Sequence, residues 1–381
     1  MAGDNTPVGP LIQLPILDIS NPNDPAVGKA MLDAAAKYGF LYVSSKGTDF
    51  TVSDVEKAFD LSRQFFKSPV EEKAACRIQP NNYGWSGMHV ETLDPEHQRV
   101  TMPSSPAVIV TDDCDCTYCL AFNFGEFKDG KAQHPLPRSL TSHEPEIAHF
   151  ADLCNKTCDR ILKLLALGLE IPEDFFTARH DPSQGPTGCN LRYLYYPSIA
   201  SPATSSYQHG TDVRAGAHSD YGSVTLLFQR PGQPGLEILT PEGTWAPVPV
   251  QPGQTAEEDR DAAFPFPPIL VNIGDLLSYW TDGLLKSTVH RVVFPLSEQQ
   301  SPNPQDRYSI VFFCHPLDKT ELVPVPSDIV TAHRQKCKEN GVQDEKVGFG
   351  GGAGSLEPGK RTLTAQEHLE ARLAATYKFD K

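Results

Sequence analysis

Between residues 189 and 314 the chain is cut into short β-rich segments by Gly and Pro: 189–196, 222–229, 235–239, 269–273, 287–294 and 307–314. Several strands at this spacing predict a sandwich or a double-sheet jelly roll. Before Pro172 the texture differs. Leu14 to Ile19 and Gly39 to Val43 read as strands, with a helix over 25–38 between them. Thr51 to Phe66 reads as a second helix, with Val55, Phe59 and Leu61 near helical spacing. Residues 145–169 give the strongest helical pattern, because Cys154, Cys158, Ile161, Leu165 and Leu169 recur at three- and four-residue steps and mark one buried face.

The flanks add less. Gln251 to Pro268 is Pro-rich and acidic and reads as a solvated loop. Gly348 to Gly354 reads as a flexible linker, and Leu363 to Tyr377 as a C-terminal helix. The chain thus divides into an N-terminal region 1–145, a β-rich domain 146–345 and a linker with a terminal helix, 346–381. A net charge of −15 argues against nucleic acid or an anionic membrane as partner. No apolar run is long enough to span a bilayer, and the first residues lack the pattern of a secretion signal, so a cytoplasmic monomer is expected. Nine cysteines, mostly spread singly, read as reduced thiols rather than a disulfide framework.

Residues 100–120 break the pattern with β-branched residues and three close cysteines, Cys114, Cys116 and Cys119. A zinc site would need a fourth ligand, and the Cys116–Cys119 spacing lacks the strand-then-helix setting of a redox pair. An irregular surface insertion is the stronger reading. Its abrupt change of composition, between flanks that match a known family, reads as an unspliced intron or a lineage-specific insertion.

Chemistry is carried by a few polar residues within the strands. In His218-Ser219-Asp220 an extended chain would point imidazole and carboxylate to the same side. Alone, His-x-Asp is more often a surface turn. His290, in the β-branched run Ser287 to Val293, changes the balance, because two histidines and one carboxylate form the facial set that holds Fe(II) and leaves positions open. Arg307 and Ser309 share a face of the next strand, where a guanidinium beside a hydroxyl suits a carboxylate; the bland alternative is an edge-strand arginine. Arg192, Leu194 and Tyr196 share a face upstream, offering a phenol to a ligand oxygen or simply packing aromatics. Gly84-Trp85-Ser86-Gly87-Met88 lacks the second glycine of a nucleophile elbow, which disfavours a serine hydrolase. His209, His315 and His333 read as surface or satisfied core residues.

With these residues in order, the chain resembles the Fe(II)/2-oxoglutarate-dependent dioxygenases of the isopenicillin N synthase-like type. The resemblance takes in Leu14 to Val43, Phe122 to Glu126, the His-x-Asp and distal His, Val271 to Asp275, and Arg307-x-Ser309. The passages Val213 to Gly222, Lys286 to Arg291 and Arg372 to Tyr377 look most like thymine dioxygenase-like members. The resemblance implies a mixed α/β fold with a double-stranded β-helix (jelly-roll) core flanked by helices. It also implies Fe(II) on His218, Asp220 and His290, and 2-oxoglutarate on Arg307, Ser309 and Tyr196. Dioxygen would be the co-reactant and a small molecule the substrate, with Arg192, Tyr221 and Phe313 as candidates for the substrate wall and the C-terminal helix as a lid over the pocket. Oxidative decarboxylation to succinate and carbon dioxide would drive attack on a C–H bond, typically a hydroxylation. Two alternatives stay open at this point: a cosubstrate-free iron oxidase of the same fold, and a non-catalytic descendant that binds a metabolite.

Overall fold

The computed structural model describes residues 8–79, 81–88, 118–205, 207, 212–253, 266–340 and 361–376. From Asn190 onward the chain shuttles between two sheets. Asn190–Tyr196, Val224–Gln229, Ile269–Ile273 and Arg307–Cys314 enter a large sheet. Ala215–His218, Leu236–Leu239, Trp245–Pro247 and His290–Val292 form a smaller one. Two facing sheets fed in turn by one chain make the double-stranded β-helix expected from the segment spacing.

The large sheet does not stop at those four strands. Its order is Ile16–Leu17, Phe40–Val43, Ile269–Ile273, Val224–Gln229, Arg307–Cys314, Asn190–Tyr196, Leu120–Gly125 and Gly84–Ser86. Strands from both sides of residue 145 therefore share one ladder. Side-chain alternation separates its two faces. Along Arg307–Cys314, Tyr308, Ile310 and Phe312 join the apolar layer beneath the helices, whereas Val311 belongs to the layer between the sheets. The outer layer is covered by helices Pro25–Lys37, Val52–Phe66 and Glu144–Gly168. The periodicity of the last predicted its buried face: Cys154, Cys158, Ile161 and Leu165 are all buried. Helices Pro25–Lys37 and Glu144–Gly168 cross at two glycines. A Cβ on Gly168 would lie 2.4 Å from the Gly28 carbonyl oxygen, so the crossing needs both positions bare.

Several expectations change in detail. The first strand shrinks to Ile16–Leu17, and the segment 287–294 keeps only His290–Val292, with an irregularity in its pairing to Ala215–His218. The Ser287 hydroxyl donates to Asp275 Oδ1 at 2.7 Å and the Thr288 hydroxyl to the Tyr38 carbonyl at 2.6 Å, tying this approach to helical neighbours instead. The reading of 100–120 as an irregular surface insertion fails at its end. Tyr118 is buried, and Leu120 opens the strand Leu120–Gly125, pairing with Tyr195. An apolar run in register with a core strand is drawn into the sheet whatever precedes it. Cys114, Cys116, His209, most of the loop Gln251–Pro268 and Gly348–Gly354 lie outside the described residues. The C-terminal helix is present as Ala365–Thr376.

Candidate metal centre

His218 ends one strand of the small sheet and His290 begins its neighbour, and the pairing sets them directly opposite. Their rings lie 4.3 Å apart between centroids. Asp220 lies two residues beyond the last residue of that strand, and its carboxylate reaches the histidines. Asp220 Oδ1 stands 3.9 Å from His218 Nε2 and 3.7 Å from His290 Nε2. The three ligand-type atoms lie within 4.8 Å of one another, the one such cluster of three among the described residues. Each ring engages a backbone carbonyl through Nδ1, His218 with Gly216 at 2.7 Å and His290 with Thr288 at 3.1 Å. That contact fixes the tautomer that turns a bare Nε2 inward, as a metal site requires. Phe40 packs edge-on against His290 at 5.6 Å.

Burial pushes the Asp220 carboxyl up, but His290, His218 and hydrogen bonds from Asn272 and Thr225 outweigh it and hold the group below the ordinary carboxylate value. The charged form is therefore the resting one. Asn272 Nδ2 donates to Asp220 Oδ2 at 2.7 Å, leaving Oδ1 toward the histidines. Sequence reasoning gave Asn272 no role. The available signal was one polar residue inside the otherwise apolar, wholly buried strand Ile269–Ile273, which needs a partner there.

The Asp220 segment is braced from behind. Asp275 N donates to the Asp220 carbonyl at 2.7 Å and Gly274 N to that of Ser223 at 3.0 Å. A Cβ on Gly274 would sit 2.2 Å from the Gly222 carbonyl oxygen, so this contact admits only glycine.

One cavity between the sheets is lined by His218, Asp220, His290, Arg307, Ser309 and Tyr196 together. Arg307 and Tyr196 are cross-strand partners, with the guanidinium 4.9 Å from the ring centroid. Arg307 is 2% exposed; it donates to Ser309 Oγ at 3.3 Å and to Gln229 Oε1 at 3.4 Å. Among the described residues no carboxylate pairs with it, and its Nε finds no partner. Arg214 offers the contrast: equally buried, it has Glu298 at 2.7 Å. A buried cation without a counter-ion costs several kcal/mol, and a bound carboxylate offsets that cost. Gln229 is a further residue the sequence did not single out, and Cys119, weighed there for zinc or redox chemistry, instead lines this cavity from the stretch read as an insertion. Of the substrate candidates, Arg192 and Phe313 line the cavity. Arg192 Nε donates to Asn123 Oδ1 at 2.5 Å. Tyr221 is not part of that lining; its ring packs under the Arg372 guanidinium at 5.0 Å.

Residues 187–316 match the family model described as the 2OG-Fe(II) oxygenase superfamily, and residues 14–106 match the N-terminal region of non-haem dioxygenases of morphine synthesis. The UPF0676 protein C1494.01 of Schizosaccharomyces pombe is 34% identical over 320 residues, covering 82% of this chain and 85% of that one. The chain belongs to the 2OG-Fe(II) oxygenase superfamily. A second relative, homoarginine-6-hydroxylase 2-ODD-C23 of Glycine max, is 26% identical over 355 residues, covering 88% of this chain and 95% of that protein. Among solved structures, the thymine-7-hydroxylase of Neurospora crassa in complex with α-ketoglutarate and thymine superposes with a TM-score of 0.68 at 25% identity, covering 95% of this chain and 96% of that one. As a member of this superfamily the protein is a dioxygenase dependent on Fe(II) and 2-oxoglutarate. Its cavity fits both groups, offering a nitrogen–nitrogen–oxygen cluster for the metal and a buried, uncompensated guanidinium for a carboxylate.

Proposed function

We propose that His218, Asp220 and His290 hold the iron, and that Arg307, with Ser309 and Tyr196, receives the far carboxylate of 2-oxoglutarate, in an enzyme that hydroxylates a small molecule. The observation that carries this reading is the Arg307 guanidinium, sealed in the same cavity as the three ligands and without a protein carboxylate among the described residues. Fe(II) and 2-oxoglutarate bound there supply the activation of dioxygen that oxidises a C–H bond, with succinate and carbon dioxide released.

The rest is done by the chain. Asn272 orients the Asp220 carboxylate, and the Gly216 and Thr288 carbonyls orient the imidazoles. Arg307 and Ser309 fix one end of the cosubstrate, with the fork geometry of arginine selecting a carboxylate. Leu194, Leu227, Leu236, Val292 and Val311 give the cavity apolar walls that exclude water. Arg192 and Phe313, a cation and a ring on the same wall, are the substrate contacts we assign; their centres lie 5.8 Å apart. They suit a small planar molecule with hydrogen-bond acceptors, in keeping with the thymine bound to the Neurospora hydroxylase. The net charge of −15 favours such a substrate over nucleic acid. No helix among the described residues is long and apolar enough to cross a membrane, and we read the protein as a cytoplasmic monomer.

Anaerobic titration with Fe(II) and 2-oxoglutarate tests the assignment through the visible charge-transfer band of a chelated keto acid. The band should vanish in His218→Ala and need far more 2-oxoglutarate in Arg307→Ala. Iron bound without a band would point to a cosubstrate-free oxidase, and no iron binding at all to a non-catalytic descendant.

A further inference from the structure

The ligand-bearing segments meet at a second carboxylate that belongs to neither metal nor cosubstrate. Asp275 opens the short helix Asp275–Trp280 and is 3% exposed. Its Oδ2 accepts from the Ser219 hydroxyl at 3.1 Å, and Ser219 stands between His218 and Asp220. Its Oδ1 accepts from the Ser287 hydroxyl at 2.7 Å, three residues before His290. One side chain thus ties together the two stretches that carry all three ligands. Its counter-charge comes from far along the chain: Arg372 Nη2 of the C-terminal helix lies 2.6 Å from Asp275 Oδ2 and donates to Ser219 Oγ at 3.3 Å. The guanidinium of Arg372 also lies over Tyr221, the residue after Asp220.

Arg372 is held for this role from the other end of its helix. Glu321 and Thr364 form a bridge, Ala365 N donates to the Thr320 carbonyl at 2.9 Å, and Thr364 with Glu367 caps the first turn. His368, 1% exposed, packs by Tyr279 of the helix that Asp275 begins. The helix is therefore seated on the ligand-bearing segment through Asp275, Ser219 and Tyr221, none of which lines the cavity, and it delivers one cation to that spot.

We propose that Arg372 is a positioning residue of the metal site: by bridging Asp275 and Ser219 it sets the geometry of the His218–Asp220 segment, so that the C-terminal helix is part of the iron-binding apparatus rather than only a cover. This rests on the assignment of His218, Asp220 and His290 to Fe(II). Partners that orient ligating groups in this way typically change metal affinity about 10- to 100-fold when removed.

The experiment measures Fe(II) affinity and the charge-transfer band in the full-length wild type, Arg372→Ala, Arg372→Lys and Arg361→Ala, with thermal unfolding of each apo-protein alongside. Arg361, just before the same helix, pairs with Glu367 in its first turn, away from the ligand-bearing segment. Arg372→Ala should weaken Fe(II) binding at least tenfold and shift the band, while Arg361→Ala leaves both unchanged. Arg372→Lys, which keeps the charge on a different geometry, should recover part of the affinity. If Arg372→Ala does not fold, Arg372→Lys against wild type carries the decision. Wild-type affinity and band in the Arg372 variants, even with a lowered unfolding temperature, would reduce Arg372 to a structural contact and overturn the proposal. A wild-type protein that binds no Fe(II) would instead overturn the ligand assignment on which it rests.

Discussion

Arg307 and Gly274 matter for opposite reasons, one for the atoms it brings and the other for the atom it lacks. Among the described residues the Arg307 guanidinium meets the acceptors Ser309 and Gln229 and the Tyr196 ring, but no carboxylate, which is why we assign it to an incoming one. Replacing it with lysine keeps the charge but loses the planar fork. Losing a charge-assisted hydrogen bond costs about 1.5–3 kcal/mol, so Arg307→Lys should raise the KM for 2-oxoglutarate roughly ten- to hundredfold, at about 1.4 kcal/mol per tenfold. An unchanged KM in steady-state assays would count against the role given to Arg307. At Gly274 a methyl group would strike the Gly222 carbonyl, and one of the two chains must move. Because Gly222 lies two residues after Asp220, Gly274→Ala should lower Fe(II) affinity more than about tenfold while leaving helical content intact; calorimetric titration beside circular dichroism checks both. At this scale the sequence was legible where residues share a pattern, as His218, Asp220 and His290 do. It was mute where role depends on what lies across a sheet: Asn272 and Gln229 touch partners 52 and 78 positions away, which no local spacing encodes.

Elements were easier to read than their ends. The helix Glu144–Gly168 follows its three- and four-residue apolar repeat, and the strand Arg307–Cys314 follows its apolar run, because both bury a complete face or length. The approach to His290 was read too long, since the hydroxyls of Ser287 and Thr288 bond outside the ladder and that competition is tertiary. The stretch before Phe122 was misread because its cysteines and acidic residues masked the point at which register with Asn190–Tyr196 begins. Helix packing supplies its own test. Gly28 and Gly168 let Pro25–Lys37 and Glu144–Gly168 touch backbone to backbone, so Gly28→Val should force the pair apart at a cost of about 1–3 kcal/mol. The unfolding midpoint in urea should fall, with the 2-oxoglutarate KM unchanged because neither helix lines the cavity.

For the molecule as a whole, buried histidines set a pH limit. Burial pushes His180 and His368 down to about 4 and His315 to about 3. All three are neutral when folded at pH 7, whereas an unfolded histidine titrates near 6.5. Between those values the unfolded chain binds more protons, so these groups contribute stability above about pH 6.5 that is lost as pH falls toward 4. His180→Gln should flatten the fall in apo-protein stability between pH 6.5 and 4.5, measured by denaturant unfolding at fixed ionic strength. An identical slope would remove His180 from the account. A different consequence follows from the span of the centre itself. Phe40 packs on His290 near the start of the chain, and Arg372 reaches Asp275 near its end. During synthesis on the ribosome the strands that carry His218 and His290 therefore emerge before the helix that carries Arg372, and the Arg372–Asp275 contact can form only after both partners are out.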